Sequence, residues 1–130
     1  MKKQIILTTN APAPIGPYSQ AVIAGDTLYV SGQIAINPAT GEMNLADILT
    51  ETRQVMENLK AVLAAANATF DDIALTTIFL SDMDYFGQVN QVYGSYFTGD
   101  FPARATVAVK TLPRNVNVEI SVIAALNEWI

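Results

Sequence analysis

Along the C-terminal stretch "VNVEISVIA", Val116, Val118, Ile120, Val122 and Ala124 alternate with Asn117, Glu119 and Ser121. A period of two puts the first set on one face of a β-strand and the second on the other. "FPARATVAV" alternates too, with Arg104, Thr106 and Ala108 of one parity and Ala105, Val107 and Val109 of the other. Together these predict two final strands, about 103–110 and 116–126, joined by "TLPRN". "AVIAGDTLYVSGQI" has two β-rich arms around Gly25-Asp26, a two-residue hairpin signal. In its second arm Tyr29, Ser31 and Gln33 share a parity. "KQIILT" (3–8) predicts a short first strand, and "DIALTTIFLS" a further one.

Two segments change period. From Asp47 to Ala66, Ile48, Val55, Leu59, Val62 and Ala66 recur at helical spacing, with Glu51, Arg53, Glu57 and Lys60 read as lying off that stripe. Asn67 suits a left-handed residue just past the helix end. From Asp84 to Phe97, a second helix would share Phe86, Val89, Tyr93, Tyr96 and Phe97 on one face, with Ser81 and Asp82 as candidate N-caps. "NAPAPIGPYSQ" is rich in Pro and Gly and reads as an ordered loop, and "NPATGE" as a turn.

The order is β-ββ-α-β-α-ββ, an α+β pattern with a mixed sheet and one domain over 1–130. Two helices cover one face of such a sheet, so the other is polar or buried by a partner. If every strand turns its apolar side to the helices, the polar residues, Arg104 and Glu119 among them, converge on the uncovered face.

Composition narrows the chemistry. Apolar residues make up 51% of the 130, high for a small soluble domain and consistent with a subunit interface. No run approaches a membrane span, and the N-terminal apolar run ends at Leu7, too short for a signal peptide, so a cytoplasmic protein without membrane contact is expected. With no cysteine and no histidine, disulfides, thiol nucleophiles, Ser-His-Asp triads and imidazole metal sites are all excluded. Proton transfer would fall to carboxylates, tyrosines, lysines, backbone groups or water. A net charge of −5 argues against a nucleic-acid partner.

Several residues are candidates for function, each with a plainer alternative. Arg104 is a solvated strand end, a structural ion-pair member or a bidentate grip on an anion. Glu119 is a solvated strand residue, an ion-pair partner for Arg104 or a base holding water. Asn90, on the apolar stripe of the second helix, is a satisfied amide or a ligand contact. Tyr18 is a loop anchor or a ligand contact. Gly32, inside a strand, signals a bulge or close backbone approach.

"IGPYSQ", "SGQI", "FPARATVAV" and "VNVEISVIA", in this order, closely resemble the RidA/YjgF family of imine deaminases, and the resemblance spans the chain. It implies a chorismate-mutase-like α+β fold, a homotrimer with a site in each intersubunit cleft, and no cofactor or metal. The implied reaction is hydrolysis of reactive 2-imino acids, 2-iminobutanoate and 2-iminopropanoate, to 2-oxo acids and ammonia. By the same resemblance Arg104 holds the substrate carboxylate and Glu119 positions or activates water. Tyr18, Ser31 and Gly32 line the site, and Asn90 lies at the cleft. Thr106 stands where many members carry cysteine, so a role for its backbone groups would persist and a role for the thiol would be lost. Relatives described as regulators, translation initiation inhibitors or ribonucleases leave two alternatives: a non-catalytic sensor of 2-oxo acids, or action on nucleic acid.

Overall fold

The computed structural model describes residues 2–126. Six strands form one sheet in the order β1-β2-β3-β6-β4-β5. They are β1 (Gln4–Ile6), β2 (Ala21–Ala24), β3 (Thr27–Gln33), β4 (Ile73–Leu80), β5 (Ala103–Ala108) and β6 (Val118–Ala125). The helices are α1 (Ile48–Ala65) and α2 (Phe86–Gly94). All pairings are antiparallel except β4 with β5, which makes the sheet mixed as the sequence predicts. Among the described residues no helix is long and apolar enough to cross a membrane.

Helix α1 starts where Asp47 accepts a hydrogen bond from Thr50 N, which holds the Asp47 carboxyl below its ordinary pKa. It ends at Asn67, whose φ of 58° is the left-handed geometry expected there. Val55, Leu59 and Val62 are fully buried against the sheet, each worth about 1.5–3 kcal/mol relative to exposure. Glu51 corrects the sequence reading. It is fully buried, because it lies one turn before Val55 and so on the stripe rather than off it.

The second helix is shorter than predicted. A 3₁₀ turn, Met83–Tyr85, precedes α2, and beyond Gly94 the bonds from Ser95, Tyr96 and Phe97 N reach back three residues, a tightened tail. Asp82 caps the 3₁₀ turn, whereas Ser81 Oγ donates to Asn117 Oδ1 instead. Strand β1 also stops early, since Thr8 N turns away to donate to Gln20 Oε1.

Both helices lie on one sheet face. The other exposes Ile5, Tyr29, Leu75 and Val107. A register shift between Val30 and Gln33 places Ser31 and Gly32 in a bulge against β6. The bulge returns Gln33 to the covered face, where it is buried, and so breaks the Tyr29–Ser31–Gln33 parity read from the sequence.

Candidate functional site

Register separates the two charged candidates. Arg104 pairs with Thr76 of β4, and Thr76 with Val122 of β6. Thr76 and Val122 are buried beneath the helices, so Arg104 shares the covered face. Glu119 pairs with Phe79 and sits between Val118 and Ile120, both fully buried, so it points the opposite way. The expected convergence on the uncovered face is therefore corrected. Within one chain Arg104 and Glu119 lie on opposite faces and form no ion pair. On β5, the small and polar parity is the covered one, because only the short α2 lies over this edge strand.

Helix α2 positions Arg104. Its guanidinium carbon lies 5.5 Å from the Phe86 ring centroid and 5.2 Å from that of Tyr93. Each such contact is worth about 0.5–2 kcal/mol, depending on desolvation. Tyr93 OH donates to buried Thr76 Oγ1 at 2.9 Å, which fixes that ring. Burial pushes the Tyr93 hydroxyl pKa up, opposed by the Thr76 hydrogen bond and the Arg104 charge. Arg104 opens into a recess of about 350 Å³ lined also by Asn90, Tyr93, Gly94, Phe101 and Pro102. Among the described residues no carboxylate is in that lining, so a stacked, oriented guanidinium faces a chamber without a counter-charge from them. Asn90 stands here half-buried.

Thr106 follows two residues along the same face, opposite Ile78. Its Oγ1 is the one buried side-chain polar atom without a hydrogen-bond partner among the described residues. Native proteins rarely leave such an atom unmatched. Thr106→Val removes it at nearly constant volume. The expected result is a free protein at least as stable by thermal melting, because burying an unpaired hydroxyl is costly. If the hydroxyl meets ligand, affinity for 2-oxobutanoate falls in the same variant; equal affinity removes Thr106 Oγ1 from the site.

Glu119 lines the second recess, about 310 Å³, with Ile15, Tyr18, Ser31, Gly32, Ile34 and Pro113. Burial pushes its carboxyl pKa up. Gly32 makes room for the Glu119 side chain where it stands. A Cβ on it would overlap the Glu119 carboxylate, 2.8 Å from Cδ and 2.9 Å from Cγ. Ser31 N donates to Gln20 O at 2.9 Å and Ser31 Oγ to Ser19 O at 2.6 Å, tying the bulge to the proline-rich loop. In that loop Ile15 N donates to Tyr18 OH at 3.2 Å, which turns the ring over Gly16 and toward the recess.

The predicted residues thus form two groups: Tyr18, Ser31, Gly32 and Glu119 on the uncovered side, Arg104, Asn90 and Thr106 on the other. Sequence reasoning missed Ile15, Ile34, Phe101, Pro102 and Pro113 as lining. It also read Phe86 and Tyr93 only as a packing stripe, although their seven-residue spacing stacks them on one helix face beside an arginine strand.

Comparison with known proteins adds an independent line. Residues 8–126 match the family described as Endoribonuclease L-PSP. A RutC family protein of Pyrococcus horikoshii is 50% identical over 94% of this chain and 97% of its own length. The mouse protein named 2-iminobutanoate/2-iminopropanoate deaminase is 44% identical over 98% of this chain and 95% of its own length. The crystal structure of E. coli TdcF with bound serine superposes with a TM-score of 0.91 at 39% identity, covering 95% of this chain and 99% of that one. The chain belongs to the Endoribonuclease L-PSP family, the RidA/YjgF family that its motifs resemble.

Proposed function

We propose that this protein hydrolyses small 2-imino acids to 2-oxo acids and ammonia, as a homotrimer whose sites form between subunits. The observation that carries the reading is the split itself. An oriented arginine without a counter-charge among the described residues and a half-buried carboxylate occupy opposite faces of one sheet. They meet only if the Arg104 face of one chain abuts the Glu119 face of the next. The exposed apolar residues on the uncovered face supply a surface for that contact. Native mass spectrometry at micromolar concentration is expected to give a trimer, and a monomer alone overturns the shared site.

Arg104 receives the substrate carboxylate through its planar fork, which orients C2 toward the facing recess. Glu119 of the adjoining chain holds a water and takes its proton as the oxygen bonds to C2 of the protonated imine, giving a tetrahedral carbinolamine. Glu119 returns the proton to nitrogen and then takes the hydroxyl proton as the C–N bond breaks, so ammonia leaves as the C=O forms. A positioned general base contributes typically ~10²–10⁴-fold, enough for a reaction that also proceeds unaided in water. The deaminase name of the mouse relative supports the activity. The serine bound to TdcF supports a small amino-acid-like ligand.

The test couples the protein to a threonine dehydratase with semicarbazide competing for the released imine. Less semicarbazone and faster 2-oxobutanoate formation are expected. Unchanged yields at stoichiometric protein overturn the catalytic reading and favour a sensor of 2-oxo acids.

A further inference from the structure

We infer that Glu51 and Asn58 of α1 are positioning residues for Glu119, holding apart the two walls of its recess. The inference rests on the hydrolytic reading above, in which Glu119 is the base.

The pairing of β3 with β6 ends at Gln33 and Ile120. Past that point the chain leaves β3 through Ile34–Ile36 while β6 begins at Val118, and the two diverge. The gap between them is the recess, with Gly32 and Ile34 on one wall and Pro113 and Glu119 on the other. Diverging strands leave backbone groups without a ladder partner, and buried ones must be satisfied elsewhere.

Two α1 side chains do this, seven residues apart and so on one helix face. Glu51 accepts from Asn117 N at 2.7 Å, Val118 N at 3.1 Å and Asn117 Nδ2 at 3.0 Å. Asn58 Nδ2 donates to Ile36 O at 2.9 Å and to Ile34 O at 3.0 Å, the latter also accepting from Ile36 N at 2.8 Å. Gln54, between them, donates to Asn58 Oδ1 at 3.0 Å and so orients that amide. Glu51 is fully buried and Asn58 nearly so. A carboxylate matches the donors on the β6 side, and amide hydrogens match the carbonyls on the β3 side. Neither residue lines the recess. Helix α1 spans the fork from behind, so Glu119, one residue after Val118, starts from a backbone fixed at both ends of the opening. Among the described residues of one chain Tyr18 is the one other titratable side chain lining the recess, and the Arg104 that the proposed assembly brings toward Glu119 is the same in parent and variant, so a difference between them reports wall geometry.

Glu51→Gln tests this. It keeps the shape and an oxygen for the two backbone N–H groups, but removes the charge they bind and sets an N–H₂ against Asn117 Nδ2. Three readouts are taken: kcat and KM for imine hydrolysis against pH, affinity for 2-oxobutanoate, and the Glu119 carboxyl titration by carbon NMR. The expected result is kcat down at least about tenfold, part of the ~10²–10⁴-fold a placed base supplies. Affinity stays within about twofold, since Arg104 stands on the other face and was not disturbed. The Glu119 titration and the acidic limb of the rate profile move to lower pH, because a loosened recess admits water.

A merely structural Glu51 lowers the melting temperature and leaves kcat, profile and titration as in the parent, which overturns the inference. Asn58→Ala, acting on the opposite wall, is expected to move the same readouts the same way and decides the matter should Glu51→Gln not fold. The NMR titration needs no turnover. If the parent hydrolyses no imine, the hydrolytic reading fails, while an unmoved Glu119 titration in a folded variant fails this inference separately.

Discussion

Glu119→Gln slows imine hydrolysis by at least about tenfold, or about 1.4 kcal/mol of barrier, and binds 2-oxobutanoate as the parent does. The amide keeps the size and one acceptor but cannot take the proton from water, so the loss falls on the transition state rather than on binding. Stability separates this outcome from a structural role. The carboxyl is half-buried with its pKa raised by desolvation, so replacing it by a neutral amide leaves the melting temperature unchanged or higher. A structural carboxylate predicts a lower one. The pH profile is a second check. A raised pKa means the base form, and with it the rate, is lost as pH falls through a value above the ordinary glutamate range of about 4.3. The acidic limb therefore lies above that range and is absent in Glu119→Gln. A variant that turns over like the parent, limb included, takes Glu119 out of the mechanism.

Arg104 carries the second large effect. Arg104→Ala weakens 2-oxobutanoate by about 1.5–3 kcal/mol, the usual worth of a hydrogen bond to a charged group, or at least about tenfold in affinity. Arg104→Lys keeps the charge but not the planar fork stacked on Phe86 and Tyr93, so it recovers only part of the loss. Trimer formation is unaffected in both. Calorimetry on the three proteins measures this directly. Parental affinity in both variants makes the arginine a packing element of α2 and nothing more.

The sequence was most legible where pattern and packing agree. Hydrophobic periodicity located α1 through Val55, Leu59 and Val62, and turn chemistry located the β2–β3 hairpin at Gly25-Asp26 and the α1 terminus at Asn67. It was least legible where one residue changes sides. Parity treats a strand as uninterrupted, and the bulge at Ser31–Gly32 shifts Gln33 by one position. Parity also equates apolar with covered. On β5 that rule inverts, since the covered side holds Arg104 and Thr106 while Val107 faces outward at 45% exposure. Motifs named Arg104 and Glu119 together, but only the parallel register of β5 on β4 reveals that one chain holds them apart. Glu51 went unread because a charged residue on an apolar stripe looks like the edge of the solvent face. Its partners, the backbone of Asn117 and Val118, lie 66 and 67 residues away.

That separation of Arg104 from Glu119 turns the proposed ring into a test of ownership. In a cyclic trimer every interface draws its arginine from one protomer and its glutamate from the next. Arg104→Ala and Glu119→Gln are each impaired alone, yet each still owns the half that the other lacks. Co-refolded, they form rings of mixed composition. Going round any mixed ring, the sequence of protomers passes from one variant to the other once in each direction, so each mixed ring holds one wholly parental interface and no more. Equal amounts make about three-quarters of the rings mixed, and activity returns to about a quarter of the parental value. Two damaged proteins would thus rebuild a working one, a result that a site housed within a single chain has no means to give.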